Sequence, residues 1–316
     1  MLRRASTLAL AAAALVAAYV ALAGWVLHRG AEALLPVGSI AEFIEPGAPI
    51  EDPLRLGYRG DPEAGLGLAF ETLTVETPLG PAPAWYVPGA RSDLAAIYVH
   101  GIAGAREDGY RHLSVLAEAA VPTLLIAYRN DPDAPAAPGG RYAMGTTEWA
   151  DLDAAVAVMV ARGHDRLLLI GESMGGAIVG RFLRRSDHAR FVTALALDSP
   201  ALDFEAVLAH LAASRRLPAP DAVAWAALWF LDARGPDRLR DTDVVDAVAG
   251  FGGPLFLAHG SGDRIVPVAI SERVPAERAA ATHHLRTAAD HLQSWHADPP
   301  AYRAAFGGFL AATTED

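Results

Sequence analysis

Five short, nearly unbroken apolar runs recur along the chain: LAAIYVH (94–100), PTLLIAY (122–128), RLLLIG (166–171), VTALALD (192–198) and PLFLAHG (254–260). A strand alternates apolar and polar residues when one face meets water and loses that alternation when both faces are covered. The runs therefore predict a mostly parallel sheet with helices on both sides, an α/β architecture. The segments between them switch to helical spacing. In 147–162, Trp149, Leu152, Val156, Met159 and Val160 fall on one stripe, and Gly163 follows as a C-terminal cap. Ahead of the runs, Leu73 and Val75, then Ala84 and Tyr86, alternate around TPLG and predict an antiparallel hairpin over 70–89.

Two stretches depart from this rhythm. The interval 201–252 is longer than a simple crossover and carries DAVAWAALWFLDA (221–233), with Trp225 and Trp229 one turn apart. It predicts a short helical cap over the C-terminal edge of the sheet, where α/β proteins bind ligands. The competing expectation is an ordinary packing helix with core tryptophans. At the other end, MLRR is followed by a run from Thr7 to Leu27 without a charge or a proline. At about 1.5 Å per residue that run reaches roughly 30 Å, the thickness of a hydrocarbon core. It predicts an uncleaved transmembrane anchor. The alternatives are a secretory signal cleaved after Ala21-Leu22-Ala23 and a buried helix. Arginines before the run and acidic residues after it orient the remainder of the chain outside the cytoplasm. Residues 36–68, rich in Pro, Gly and acid, read as a linker, so the expected division is 1–35 anchor or signal, 36–68 linker and 69–316 α/β domain.

Composition narrows the chemistry. Formal net charge is −11 and every basic side chain is arginine. No basic cluster tracks phosphates, which argues against nucleic-acid binding. The absence of cysteine excludes a disulfide framework, a thiol nucleophile and a cysteine-based zinc site. Four histidines fall within 283–296, yet without His-Glu-x-x-His spacing or an evident carboxylate partner, and they are not read as a metal site.

The chemistry-bearing motif is IGESMGG (170–176), where a strand-like run becomes a helix-like one. A sharp strand-to-helix turn strains the central residue, and Gly171 and Gly175 remove the β-carbons that would clash. Ser173 then projects from the sheet edge, with the Met174 N–H at a helix N-terminus. YVHGIAG (98–104) ends an earlier strand in a turn able to aim the Ile102 N–H at the same point. HGSGDRIVP (259–267) puts Asp263 in the loop after a later strand, and Asp198 is the runner-up acid. Among the histidines, His100 and His259 precede glycines at strand ends and read as structural, whereas His283 and His284 lie inside the apparent last strand. His291 is the first histidine in the loop after that strand and is preferred over His296 as the base.

These motifs, in the chain order Ser, acid, His, resemble the α/β-hydrolase superfamily, with the resemblance covering roughly 66–312. The chain looks most like membrane-tethered bacterial members that are esterase-like or serine-aminopeptidase-like and carry a short helical cap. The resemblance implies Ser173 as nucleophile, Asp263 as acid, His291 as base, and the N–H groups of Ile102 and Met174 as oxyanion donors, with no cofactor. HGIAG lacks the glycine triplet of many lipases. The expected activity is hydrolysis of a small carboxylic ester or acyl substrate through an acyl-enzyme. A peptidase or amidase, with Glu205 or Asp232 capturing an amine, an acyltransferase, and a non-catalytic tethered binding protein are the alternatives.

Overall fold

A computed structural model describes residues 2–37, 50–233, 235 and 238–313. In chain order its elements are α1 (Leu2–Leu34), α2 (Pro62–Leu66), β1 (Glu71–Thr77), β2 (Gly80–Val87), β3 (Ala95–Val99), α3 (Tyr110–Glu118) and β4 (Thr123–Ile126). Next come α4 (Trp149–Ala161), β5 (Leu167–Glu172), α5 (Met174–Arg185), β6 (Val192–Asp198), α6 (Phe204–Ser214), α7 (Pro220–Asp232) and α8 (Val245–Ala249). The chain closes with β7 (Leu255–Gly260), α9 (Val268–Glu277), β8 (Thr282–Thr287), α10 (Ser294–Ala297) and α11 (Pro299–Ala312).

All five apolar runs form strands of one eight-stranded sheet, ordered β1-β2-β4-β3-β5-β6-β7-β8. The predicted hairpin is present: β1 and β2 pair antiparallel, with Thr77 opposite Gly80, and β2 also meets β4 antiparallel. Every other neighbouring pair is parallel. Every residue of β3, β5 and β7 is buried, as unbroken apolar strands require. Their side chains feed two cores by strict alternation. Ile97, Leu167 and Leu169 pack on one face, and Ala96, Tyr98, Leu168 and Ile170 on the other, where Tyr302, Phe306 and Phe309 of α11 close the layer. Each fully buried leucine of this kind contributes about 1.5–3 kcal/mol through burial.

Two expectations change. Residues 38–49 of the expected linker lie outside the described residues, but 50–68 is packed structure. Leu54, Tyr58, Leu66 and Leu68 lie against the second core, Asp61 caps α2, and the Gly57 N–H donates to Asp108 Oδ1 at 3.0 Å. The packed body therefore begins well before residue 69. Nor is α1 a detached tether. Ala31 and Leu35 are buried in the first core, and the Tyr142 N–H donates to the Leu35 carbonyl at 2.9 Å. Further back, a β-carbon at Gly24 would stand 2.5 Å from Ala226 Cβ of α7, so the two helices touch backbone to backbone. The helix expected over 221–233 is α7, but its tryptophans are not core residues: Trp225 is 55% exposed and Trp229 50%.

Candidate active site

The turn from β5 into α5 has the strain that its glycines imply. Ser173 sits at φ 50°, ψ −117°, a region that L-residues avoid. A β-carbon at Gly171 would meet the Gly175 carbonyl at 2.8 Å, and one at Gly175 would meet the Val99 carbonyl oxygen at 2.2 Å. Only glycine fits either position. The Ser173 N–H donates to the Asp198 carbonyl at 3.0 Å, and the Ser173 carbonyl accepts from Ala201 at the same distance, so the neighbouring strand end holds the strained turn.

Three residues far apart in sequence meet here. Ser173 Oγ lies 3.0 Å from His291 Nε2, and His291 Nδ1 lies 2.7 Å from Asp263 Oδ2. The other Asp263 oxygen accepts the N–H groups of Ile265 and Val266, each at 2.8 Å. Burial alone would push this carboxyl upward, but hydrogen bonds from His259 and His291 and the charge of His291 outweigh it. The Asp263 pKa is held well below the usual carboxylate range. His259, expected to be structural, is a prop for the acid: its Nε2 is 3.0 Å from Asp263 Oδ2, and its Nδ1 is 2.6 Å from Ser271 Oγ.

The runner-up acid stands elsewhere. Asp198 is buried, accepts the Tyr302 hydroxyl at 3.0 Å and has its pKa raised by burial. His296 lies on α10, its pKa lowered first by burial and then by the charges of Arg111 and Arg55; the histidine hydrogen-bonded to Ser173 is His291. His283 and His284 fall in β8, as expected. Of the carboxylates weighed for amine capture, Asp232 already accepts the Leu239 N–H and pairs with Arg240 at 2.6 Å. Glu205 is half-buried, and its pKa is raised by burial and by Asp203.

Of the two expected oxyanion donors, Met174 follows Ser173 directly and Ile102 follows Gly101, which packs on the serine. Met174 is the first residue of α5, so its N–H has no intrahelical acceptor. The Gly101-Ile102 turn packs directly on the nucleophile, since a β-carbon at Gly101 would lie 3.1 Å from Ser173 Cβ. His100 anchors that turn structurally. Its Nε2 is 2.8 Å from Asp131, its Nδ1 is 2.8 Å from the Gly101 carbonyl, and its ring stacks on Tyr128 at 4.2 Å.

Sequence reasoning missed a buried charged network behind the site. Arg111 donates to Glu172, the residue before Ser173, at 2.6 Å, and to the carbonyl of Leu292, the residue after His291, at 2.9 Å. The Leu292 N–H donates to Ser199 Oγ at 3.2 Å, so both peptide groups of this φ 56° residue are held. One guanidinium thus ties the nucleophile turn to the loop carrying His291. His112, Glu172 and Asp198 bring ligand-type atoms within 4.8 Å of one another. Arg111 already neutralises Glu172, and the Tyr98 and Tyr302 hydroxyls bond to the two carboxylates, so both carboxylates are engaged in an ion-pair network. The only sequence signal was Glu172 inside GESMG.

No protein-family model matches the chain, and no curated protein matches it in sequence. Solved structures do match. An esterase from Pyrococcus furiosus superposes with a TM-score of 0.64 at 19% identity, covering 85% of this chain and 100% of that one. A hydrolase from Pseudomonas aeruginosa gives 0.55 at 17% identity, covering 76% of this chain and 98% of the other. An esterase from Thermogutta terrifontis gives 0.53 at 17%, with coverage of 77% and 99%. At such identities the likeness speaks for architecture, and with the sheet order and the strand-to-helix turn at Ser173 it leads to one conclusion: the chain has the α/β-hydrolase fold.

Proposed function

We propose that this protein is a serine hydrolase that cleaves carboxylic esters through an acyl-enzyme. The observation that carries the reading is the unbroken line from Asp263 through His291 to Ser173, at 2.7 and 3.0 Å. His291 Nε2 takes the Ser173 Oγ proton as Oγ attacks the ester carbonyl, and Asp263 offsets the charge that the imidazole acquires. The oxyanion is stabilised by the N–H groups of Ile102 and Met174, of which one alone is worth on the order of 10²–10³ in kcat. His291 returns its proton to the departing alcohol, then activates the water that releases the acid. Esterases among the structural relatives favour an ester over a peptide bond, and the engagement of Asp232 with Arg240 weakens the case for amine capture.

The same reading takes α1 as a membrane anchor that leaves the hydrolase body outside the cytoplasm. It is supported by the length and apolarity of α1 and by the arginines at its start. A fluorophosphonate probe tests the chemistry. Labelling of the wild type and its loss in Ser173→Ala is the expected result, with the thermal midpoint unchanged or raised as strain at the turn eases. Persistent labelling of the alanine variant would move the nucleophile to another serine. A panel of p-nitrophenyl esters against aminoacyl anilides then separates esterase from peptidase.

A further inference from the structure

Among the α1 residues whose burial is described, the uninterrupted exposed stretch is shorter than a bilayer is thick. Ser6 to Ala18 is exposed throughout, which spans about 20 Å. A hydrocarbon core is about 30 Å thick. The missing 10 Å or so falls on the next stretch of α1, and there the cap is already seated. The Tyr19 hydroxyl donates to the Pro218 carbonyl at 2.9 Å, and Gly24 touches Ala226. A membrane that surrounds α1 over its full thickness must therefore also meet the tip of the cap.

The tip is built for that contact. On α7 the exposed residues are Asp221, Ala222, Trp225 and Trp229, so the outward face is apolar beyond the first turn. Trp225 and Trp229 wall a groove against Ala13, Ala17 and Val20 of α1, and Leu15 and Leu22 are exposed elsewhere on the same helix. Backbone polar groups in lipid must be satisfied internally. In the turn before α7, the N–H groups of Arg215, Arg216 and Leu217 donate to α6 carbonyls, and the Pro218 carbonyl has its Tyr19 partner. Arg215, Arg216 and Asp221 set a limit on depth: the two guanidinium groups reach the headgroups along their side-chain stems, and the short Asp221 carboxylate has to stay at headgroup level. Tryptophans at this level match the aromatic belt of membrane proteins.

We propose that the tip of the cap, from Pro218 to Trp229, is immersed in the non-cytoplasmic leaflet beside α1, with the acyl chains and headgroups of the bilayer as its partner. The immersion is about 10 Å, the depth at which interfacial helices lie. The inference rests on reading α1 as an anchor. α6 and α7 follow β6 directly, with Ala201 bonded to Ser173, so the immersed tip belongs to the insertion that rises from the active-site edge of the sheet.

The native chain contains no cysteine, which makes single-site labelling clean. Full-length Trp225→Cys, Trp229→Cys, Leu15→Cys and Glu76→Cys proteins are labelled with an environment-sensitive fluorophore. Each is reconstituted into phosphatidylethanolamine–phosphatidylglycerol vesicles, with and without a quencher on the lipid acyl chain. All four positions are exposed or on the outer surface, and an unchanged thermal midpoint confirms the fold. The expected result is a blue shift and strong quenching at 15, and at 225 and 229 at least half of that loss of emission, with none at 76. Quenching at 15 but not at 225 or 229 would overturn the proposal and leave the anchor intact. No quenching at 15 would remove the anchor reading itself, and the proposal with it. A short bis-maleimide that links two copies through Trp225→Cys, without lipid quenching there, would make the patch a contact between copies and also overturn the proposal.

Discussion

At Ser173 the backbone is held where an L-residue is strained, and the hydroxyl is held 3.0 Å from one particular imidazole. That imidazole is His291, the histidine that the sequence reading preferred over His296. His291→Ala is expected to lower kcat on the order of 10³-fold or more, because the hydroxyl then attacks with no proton acceptor in place. His296→Ala is expected to stay within a factor of about ten; steady-state rates on one p-nitrophenyl ester decide between them, and a dead His296 variant beside an active His291 variant would reverse the assignment. Asp263 yields a second expectation. Its folded pKa is depressed below the unfolded value of about 3.9, so its charge contributes stability at pH above about 4, and that contribution fades as pH falls toward the folded value. Thermal midpoints of the wild type and Asp263→Asn should differ most near neutral pH and converge below about pH 4. A gap that does not change with pH would mean that the charge contributes nothing. Ser173, Asp263 and His291 were legible because each stands beside turn chemistry at a strand end. Arg111 was not, since nothing in GYRHL shows that its guanidinium reaches both Glu172 and Leu292.

Among the elements, the strands were the most legible part of the chain, because burial on both faces leaves a run with no polar interruption. Segment 50–68 was not. Proline and glycine suggested a linker, whereas Leu54, Tyr58, Leu66 and Leu68 reach the second core without forming any regular period. The pairing of α1 with α7 was equally hidden, since each helix is apolar on most sides and neither pattern names the other as partner. Two glycines of α1 test that pairing. Gly30 has open space around it, so Gly30→Leu should hold or raise the thermal midpoint through better helix propensity, worth up to about 1 kcal/mol. Gly24→Leu gains the same propensity but drives a side chain into Ala226 and the backbone of Val223 and Ala227, an overpacking that costs about 1–3 kcal/mol or more. Its midpoint should fall by several degrees in detergent. Equal behaviour of the two variants would mean that α1 is only a tether.

For the whole molecule, the proposed orientation rests on charge. Arg3 and Arg4 stand in the first turn of α1, ahead of its apolar run, and favour a cytoplasmic N-terminus. Protease added to intact cells should digest the body down to a membrane-protected N-terminal fragment; full protection would reverse the topology. The amino-acid order alone determined the layered α/β sheet, the turn that strains Ser173 and the apolar N-terminal helix, because each depends on periodicity or turn residues within a few positions. Tertiary structure alone gave the preferred His291 its 3.0 Å contact with the serine, and decided that His259 and Arg111 support the site and that α1 docks on the cap. Except for His259 and Asp263, four positions apart, those contacts join residues tens to hundreds of positions apart, where chain geometry rather than local pattern brings the atoms together.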